Sequence, residues 1–393
     1  MPRTLLVTND FPPTIGGIQS YLRDFLATLN PQDVIVFAST QDGDAAAEYD
    51  STLPYTVVRW PRSIMLPTPA TARQMQRLIR EHDIETVWFG AAAPLALMAP
   101  AARAAGARRI VATTHGHEVG WSMLPGARQA LCRIGKSSDV LTYISDYTRN
   151  RLEPAFGSGA RWVHLPSAVN LEDFTPPTAD EKQAARAHFG LGSGPVIVCI
   201  SRLVPRKGQD QLLRAMPAVR GRIPDAQLLI IGRGRYEPTL RELAHLYCPD
   251  AVIQEARDTA ELRLALHAAD VFAMPARTRG GGLDVEGLGI VYLEAQAAGL
   301  PVVAGDSGGA PETVTPETGL VVRGSSVPEL EEALCTLLGD APRAHRMGAA
   351  GRRHVEERWT WEIMGARLRE ILECDRGQAG VYPTSHASTH SLR

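Results

Sequence analysis

The chain has 393 residues, of which 44% are hydrophobic and 21% are charged, an ordinary composition for a globular protein. At roughly 150 residues per domain, this length predicts two or three domains, each with its own core. The formal net charge of −2 gives no basic field for a nucleic acid, so we expect no nucleic-acid partner. The five cysteines are spread along the chain, which fits neither a disulfide framework nor a zinc site.

The apolar segments are too short for the membrane-spanning class. No apolar stretch reaches the roughly 18–20 residues that a span needs. The apolar run at residues 5–7 is too short for a signal peptide. We therefore expect a cytoplasmic protein with reduced thiols, whose contact with a membrane is peripheral.

In the first half of the chain, short apolar runs alternate with helical patterns, which is typical of a parallel sheet covered on both faces. The helical patterns include residues 19–29 and 70–81. The predicted strands are residues 4–7, 34–38, 56–60, 86–89, 110–113, 140–144 and 162–165. Asp42-Gly43-Asp44 lies in a polar stretch after the second strand, and we interpret it as a solvated loop and not as a metal site.

Residues 170–180 contain Pro176-Pro177 and no apolar period, which predicts an interdomain linker. The alternation then begins again, with strands predicted at residues 196–200, 227–231, 251–254, 271–274, 301–304 and 319–322. Helices are predicted at residues 208–222, 236–247, 259–268, 289–298, 327–339 and 360–373. The remaining tail, 376–393, is rich in Gly, Ser, Thr and His, and we expect it to be disordered.

This pattern predicts two doubly wound α/β domains, residues 1–172 and 173–359. Such sheets bind ligands outside the carboxyl ends of their strands. Chemically active residues are therefore expected directly after the predicted strands of each half.

In the first half, candidate residues follow two of the predicted strands. The first is followed by Asn9-Asp10 and then by Gly16-Gly17, whose backbone N–H groups can approach an anion at a helix N-terminus; a plain strand–helix turn is an equal alternative. The fifth is followed by His115-Gly116-His117-Glu118. A histidine at this edge can hydrogen-bond a substrate hydroxyl or phosphate, and the spacing predicts no complete zinc site.

In the second half, Arg202, Arg206 and Lys207 follow the first strand and lead into a helix. Guanidinium forks and an ammonium beside a helix N-terminus favour pyrophosphate binding over a merely solvated loop. Gly232-Arg233-Gly234 follows the next strand and suggests a turn that lets the backbone approach a nucleotide, although Arg233 is equally compatible with surface charge.

A glycine-rich segment with two carboxylates is the strongest constellation in the sequence. It runs from Gly280 to Glu294 and places Glu286 in a loop and Glu294 in the following helix. Carboxylates accept hydrogen bonds from vicinal hydroxyls, so one can hold a sugar and the other a ribose.

These features together resemble retaining glycosyltransferases of family 4: the Gly16-Gly17 loop, the loop from Arg202 to Gly208, and the E-x7-E pair Glu286 and Glu294. They occur in the family's order and span nearly the whole chain. The resemblance implies a GT-B fold, with an acceptor-binding N-terminal domain, a donor-binding C-terminal domain, and a last helix, 360–374, that returns to the first domain.

Two shorter segments, residues 8–13 and 114–118, are similar to those of the phosphatidylinositol mannosyltransferases. This resemblance implies transfer of mannose from GDP-mannose to O6 of the inositol in phosphatidylinositol monomannoside, with an alpha-1,6 linkage. It also implies a lipid acceptor, an anionic membrane surface and a location at the inner face of the plasma membrane. GDP-mannose is then a co-substrate, and neither a cofactor nor a metal is expected.

The resemblance further implies roles for individual residues. Arg202 and Lys207 neutralise the diphosphate, His115 contacts the transferred sugar, and these three with Glu286 form the catalytic set. Glu286 holds the sugar hydroxyls. The donor site is completed by Gly16, Gly17, Gly232, Arg233, Gly287, Leu288, Gly289, Ile290 and, at the ribose, Glu294. Asp10 and Arg62 are candidates for the acceptor site.

Membrane contact is suggested by arginines that flank the apolar segment 64–66, since basic residues beside exposed apolar ones suit an anionic lipid surface. An ordinary amphipathic helix with a solvated face is an equal alternative. These arginines are Arg59, Arg62, Arg73, Arg77 and Arg80.

Three alternatives stay open at this level: a family 4 enzyme with a soluble sugar or glycan acceptor, a GT-B-shaped nucleotide-sugar epimerase, and a nucleotide-sugar-binding module without catalysis. Leu288 stands where many relatives carry an aromatic residue. Residues 252–257 lack a glycine that many relatives place beside the base, which leaves base recognition open.

Overall fold

The computed structural model of the chain describes residues 1–373. The tail predicted at residues 376–393 lies outside the described residues. Two parallel β-sheets with flanking helices form the described part. Each of the predicted strands is present there, within one residue of its expected bounds.

The first sheet has seven parallel strands in the order β3-β2-β1-β4-β5-β6-β7. They are β1 (Thr4–Thr8), β2 (Val34–Ser39), β3 (Thr56–Trp60), β4 (Thr86–Phe89), β5 (Arg109–Thr113), β6 (Val140–Tyr143) and β7 (Arg161–His164). The helices of this part are α1 (Gly17–Leu26), α2 (Gly43–Ser51), α3 (Pro69–Glu81), α4 (Ala99–Ala104), α5 (Val119–Ser122), α6 (Pro125–Ser137) and α7 (Asp146–Phe156). Strands β1, β4 and β6 are buried throughout, as expected for a sheet covered on both faces.

The second sheet has six parallel strands in the order β10-β9-β8-β11-β12-β13. They are β8 (Val196–Ile200), β9 (Gln227–Ile231), β10 (Val252–Gln254), β11 (Val271–Met274), β12 (Val302–Gly305) and β13 (Gly319–Val322). The helices are α8 (Ala179–His188), α9 (Gln209–Arg222), α10 (Glu237–Tyr247), α11 (Thr259–Ala268), α12 (Ile290–Ala297), α13 (Val327–Gly339) and α14 (Ala341–Arg358).

The strand order reverses beside β1 in the first sheet and beside β8 in the second. At such a reversal, the loops at the carboxyl ends of neighbouring strands diverge to opposite faces and leave a crevice. The crevices are therefore bordered by the loops after β1 and β4 in one domain and after β8 and β11 in the other.

The last described helix, α15 (Trp361–Glu373), packs on the first domain although it follows the second in the chain. The rings of Phe25 and Trp361 meet edge to face, with centroids 5.1 Å apart. Arg369 donates a hydrogen bond of 2.7 Å to the carbonyl of Thr28. The chain thus crosses between the two domains twice.

Several helices were not predicted, among them α2, α14 and α8, which begins at Ala179 inside the segment predicted as a linker. The polar stretch interpreted as a solvated loop forms α2, and Asp42 caps it by accepting a hydrogen bond from the Ala45 amide at 3.2 Å. In α14 the glycines hid the helical pattern. Gly348 is required there because a Cβ at this position would lie 1.9 Å from the Gly299 carbonyl oxygen.

Within residues 1–373, no helix combines the length and the apolar composition that crossing a bilayer requires.

Candidate active site

A compact cluster of charges lies at the carboxyl edge of the second sheet, in the loops that lead into α9 and α12. Lys207 Nζ lies 2.5 Å from Glu286 Oε2, and the two side chains are only 10% and 9% exposed. Arg206 Nε lies 3.8 Å from the same oxygen, and Arg206 Nη1 donates to Asp284 at 3.1 Å. The structure therefore brings together two residues that are 79 positions apart and were both singled out in the sequence.

The two loops end in glycines that cap the helices. Gly208 before α9 and Gly289 before α12 both adopt left-handed backbone, with φ of +81° and +85°. This conformation favours glycine and lets each helix start directly behind the Lys207–Glu286 pair. The positive ends of two helix dipoles therefore lie at this site, where they favour a bound anion.

The remaining members of the E-x7-E segment lie along the start of α12. Leu288 is buried and Ile290 opens the helix. Glu294 lies one turn further on and is mostly buried. Burial raises the pKa of Glu294 to about 7, because a low-dielectric environment disfavours the charged carboxylate.

Arg202 lies in the loop of Lys207 with an exposed side chain, and its guanidinium forms no ion pair within residues 1–373. Arg233 is also exposed and lies 3.1 Å from Glu255. Gly232 is explained by packing, because a Cβ at this position would lie 1.9 Å from the carbonyl oxygen of Ser201. The glycine pair after β9 thus serves close contact between neighbouring loops, which was not the reason proposed for it.

On the side of the first domain, His115 follows β5. Its Nε2 lies 2.7 Å from the carbonyl oxygen of Gly90, in the loop after β4. A carbonyl only accepts, so Nε2 carries the proton and Nδ1 is left as an acceptor in the neutral ring. Burial lowers the pKa of His115 below its usual 6.5, which keeps the ring neutral near pH 7.

Glu118 holds the backbone of this histidine loop. Its side chain is fully buried, and Oε2 accepts hydrogen bonds from the amides of His115 and Gly116 at 3.2 and 3.0 Å. His117 Nε2 lies 3.6 Å from the other oxygen. The sequence motif contained Glu118, but only the fold gives it this organising position.

The loop after β1 carries three further candidates. Asp10 accepts a hydrogen bond of 3.4 Å from Gln19 at the start of α1. Gly16 caps that helix and Gly17 is its first residue, with open space where a Cβ would lie. Asp10 also adds a small Coulombic effect on the pKa of His115, so these two candidates share one neighbourhood.

Asn9 was not predicted as a site residue, yet it fixes the loop that carries Arg62. Its side chain donates to the Met65 carbonyl at 2.9 Å and accepts from the Met65 amide at 2.7 Å. Arg62 itself is exposed. Of the arginines considered for a membrane surface, Arg59 is committed elsewhere, because its guanidinium forms a two-pronged ion pair with Asp50.

The two sides of the site touch. The carbonyl of Gly287 accepts a hydrogen bond of 2.7 Å from Ser145 Oγ, in the turn after β6. A Cβ on Gly287 would lie 3.7 Å from the His115 carbonyl oxygen. His115 and the Glu286 loop therefore face each other across the domain boundary.

Within residues 1–373, no three His, Cys, Asp or Glu side chains lie close enough together to bind one metal ion.

Two family models match the chain: Glycosyltransferase Family 4 over residues 15–173 and Glycosyl transferases group 1 over residues 181–354. The fold is similar to that of Anabaena HepE in complex with UDP, with a TM-score of 0.77, 17% identity, and coverage of 94% of this chain and 99% of that chain.

Two relatives are similar over almost their whole lengths. The chain is 62% identical to the GDP-mannose-dependent monoacylated alpha-(1-6)-phosphatidylinositol monomannoside mannosyltransferase of Corynebacterium glutamicum, with coverage of 95% of this chain and 98% of that protein. It is 56% identical to the GDP-mannose-dependent alpha-(1-6)-phosphatidylinositol monomannoside mannosyltransferase of Mycolicibacterium smegmatis, with coverage of 94% and 97%. The GT-B fold is confirmed, and the chain belongs to the family of GDP-mannose-dependent phosphatidylinositol monomannoside mannosyltransferases.

Proposed function

We propose that this protein transfers mannose from GDP-mannose to O6 of the inositol in phosphatidylinositol monomannoside, with an alpha-1,6 linkage that yields the dimannoside. The names of both relatives support this donor and this acceptor. The observation that carries the proposal is the buried Lys207–Glu286 pair between two helix N-termini, opposite His115.

The donor diphosphate lies at the N-termini of α9 and α12 in this proposal. Lys207 supplies a point charge there, and exposed Arg202 supplies a guanidinium that turns toward the phosphates when they bind. The backbone from Gly287 to Ile290 adds N–H donors of the helix start. Gly16 and Gly17 approach the same anion from α1, where nothing occupies the space beside Gly17.

The sugar lies between Glu286 and His115. The Glu286 carboxylate now holds Lys207 at 2.5 Å, and the diphosphate competes for that ammonium when the donor binds. Glu286 then accepts hydrogen bonds from sugar hydroxyls. The Nδ1 of neutral His115 accepts a further hydroxyl, and Glu294 receives the ribose.

The reaction retains the configuration at the anomeric carbon. The bond from C1 to the diphosphate oxygen breaks, and the inositol O6 attacks C1 from the same face. The departing phosphate oxygen takes the proton of O6, so no enzyme nucleophile is required. Negative charge grows on the diphosphate in the transition state, where Arg202, Lys207 and the helix dipoles stabilise it without a metal ion.

The acceptor lies on the first domain, with Asp10 at the attacking hydroxyl and Arg62 at the inositol phosphate. Exposed apolar side chains lie in the connections that follow β1, β3 and β5 at one edge of the parallel sheet: Ile15, Ile64, Leu66 and, between α5 and α6, Met123 and Leu124. Apolar residues next to arginine suit the surface of an anionic bilayer. We place the enzyme peripherally at the inner face of the plasma membrane.

Transfer of radiolabel tests this function. Label from GDP-mannose is expected in the lipid phase when vesicles of phosphatidylinositol and phosphatidylinositol monomannoside are present. Label in soluble products alone favours a soluble acceptor, donor turnover without an acceptor favours an epimerase, and neither result with tight GDP binding favours a binding module.

Substitution of exposed apolar residues tests the membrane surface separately. Ile64→Ser with Leu66→Ser is expected to reduce vesicle cosedimentation at least several-fold. Leu246→Ser is the control, because Leu246 is more exposed, at 70% against 63% for Ile64 and 54% for Leu66, but lies on α10 of the second domain. Equal cosedimentation of all forms contradicts membrane docking through this edge.

A further inference from the structure

The N-terminus of α7, in the first domain, is capped by a carboxylate of the second domain. Glu312 Oε2 accepts a hydrogen bond from the Asp146 amide at 2.7 Å, and Oε1 accepts one from the Tyr147 amide at 2.8 Å. The third amide of the helix, that of Thr148, is capped locally by Ser145 Oγ at 3.3 Å. The first two amides of α7 thus depend on a residue 166 and 165 positions away.

Glu312 follows β12, in a segment that is hydrogen-bonded to the loop of Glu286 in the proposed donor site. The amide of Gly309, three residues earlier, donates to the carbonyl of Glu286 at 2.9 Å. The amide of Glu286 donates to Ser307 Oγ at 3.1 Å. The segment 307–312 therefore connects the backbone of Glu286 directly to the Glu312 carboxylate, which caps the N-terminus of α7.

A second contact lies beside the first. Ser145 Oγ donates to Gly287 O at 2.7 Å, and a Cβ on Gly309 would lie 2.6 Å from Ser145 Cβ. No side chain fits between the two domains at this point. Both contacts require the two domains to be in contact, because each joins a residue of the first domain to a residue of the second.

The chemistry of this contact makes it strong and dependent on position. A carboxylate with both oxygens on the free amides of a helix N-terminus gains charge-assisted hydrogen bonds and a favourable helix dipole. If the domains separate, two amides and a carboxylate must find water instead. The contact is therefore a discrete latch that two well-defined domain arrangements can make or break.

We infer that Glu312 is a positioning residue for the transfer reaction: its bidentate contact with the α7 N-terminus holds the domains in the arrangement that places Glu286 opposite His115. This inference rests on the proposed donor site. Glu312 does not touch the substrate, and it acts by favouring the closed arrangement in which GDP and the sugar are enclosed.

Glu312→Gln removes the negative charge at nearly unchanged volume. It also replaces one of the two accepting oxygens by an NH2 group, which cannot accept a hydrogen bond from a backbone amide of α7. Loss of a charge-assisted hydrogen bond typically shifts such an equilibrium by roughly 10- to 100-fold. We expect GDP affinity to fall by about that factor in calorimetry. We expect the GDP-saturated variant to keep a larger radius of gyration than the wild type in small-angle scattering.

Glu317→Gln is the matched control, since Glu317 is an exposed carboxylate five positions further along the chain from Glu312. It is expected to match the wild type in scattering and in GDP affinity. Glu312→Asp keeps the charge with a shorter reach, so it is expected to recover part of the closure, and it also serves if the Gln variant does not fold.

These readouts use GDP alone and need no acceptor. They therefore test the latch even if the protein transfers mannose to a different lipid or to none. The inference is overturned if Glu312→Gln closes on GDP like the wild type. It is also overturned if Glu312→Gln and Glu317→Gln lose GDP affinity equally.

Discussion

Lys207 and Glu286 form a buried ion pair of 2.5 Å that ties the loop before α9 to the loop before α12. Both helices point their N-termini at this pair. In the proposed function, the pair preassembles a cation for the diphosphate and an acceptor for sugar hydroxyls. Because the partners are about 90% buried, each keeps the other from being an unpaired charge in a low-dielectric environment.

Replacement of Lys207 is expected to separate the catalytic from the structural contribution of this pair. Lys207→Met removes a fixed cation from the leaving group, so we expect kcat to fall at least about 100-fold. It also leaves Glu286 with only the longer contact to Arg206, at 3.8 Å, so we expect the free energy of unfolding to fall by up to about 3–5 kcal/mol. Steady-state kinetics and urea titrations measure the two effects, and Lys136→Met, at an exposed lysine of α6, is the control.

The double variant Lys207→Met with Glu286→Gln distinguishes the two effects. Since it carries no unpaired charge, most of the lost stability should return while transfer stays absent. Near-normal turnover in Lys207→Met contradicts the proposed role of the ammonium.

Glu294 predicts a pH dependence of stability. Its pKa in the folded protein is about 7, above the ordinary 4.5, so the folded state binds the proton more tightly than the unfolded state. Stability must therefore fall as pH rises from about 4.5 to 7. The cost is absent below this window and fully present above it, where it amounts to about 1–3 kcal/mol.

Glu294→Gln removes this ionisation at similar volume. The variant should gain stability over the wild type at pH 8, and the gain should vanish near pH 4.5. Thermal melts at several pH values measure it, with exposed Glu317→Gln as the control. A gain that is independent of pH would falsify the assignment of this ionisation to Glu294.

Much of the fold follows from local patterns in the sequence. Strands buried on both faces are continuous apolar runs, so segments such as β8 and β11 are evident from composition alone. The loops after them were predictable as sites because parallel strands bring their carboxyl ends to one edge. That argument selected the loops of Lys207 and Glu286, which the structure brings together, but it gave no reason for the distance between the two side chains.

The contacts that assemble the site were not predictable in this way. Asn9 meets Met65 over 56 positions and Asp146 meets Glu312 over 166, so no local pattern indicates either contact. The glycine of the pair after β9 was assigned to a nucleotide, whereas packing against Ser201 already requires it. A glycine pattern indicates that the backbone approaches another group closely. It does not indicate whether that group is a ligand or another part of the protein.

The Asn9 contact predicts an effect confined to the acceptor side. Asn9→Ala removes two hydrogen bonds to the Met65 backbone, each worth about 0.5–1.5 kcal/mol, and frees the loop that carries Arg62. We expect the KM for lipid acceptor to rise about three- to tenfold while the KM for GDP-mannose stays unchanged. Asn150→Ala, at an exposed residue of α7, is the control. An equal rise in both KM values contradicts the proposal that the first domain binds the acceptor and the second domain binds the donor.

The last prediction concerns the protonation state of His115. Burial lowers its pKa below 6.5, and Nε2 donates to Gly90 O at 2.7 Å. Nδ1 of the neutral ring is therefore left as the acceptor that the proposed mechanism assigns to a sugar hydroxyl. The neutral form should persist as the pH falls through 6.5, and kcat should show no decline centred there.

His115→Phe keeps the ring packed edge to face against Tyr21 but removes the acceptor, and we expect kcat to fall about 10- to 100-fold. His117→Phe, at an exposed neighbour, controls for added apolar surface in the loop. A wild-type kcat that declines with falling pH around an apparent pKa of 6.5, and loses that decline in His115→Phe, would contradict the lowered pKa of His115. A kcat that instead rises as the pH falls through this range would show that the protonated ring works as a donor.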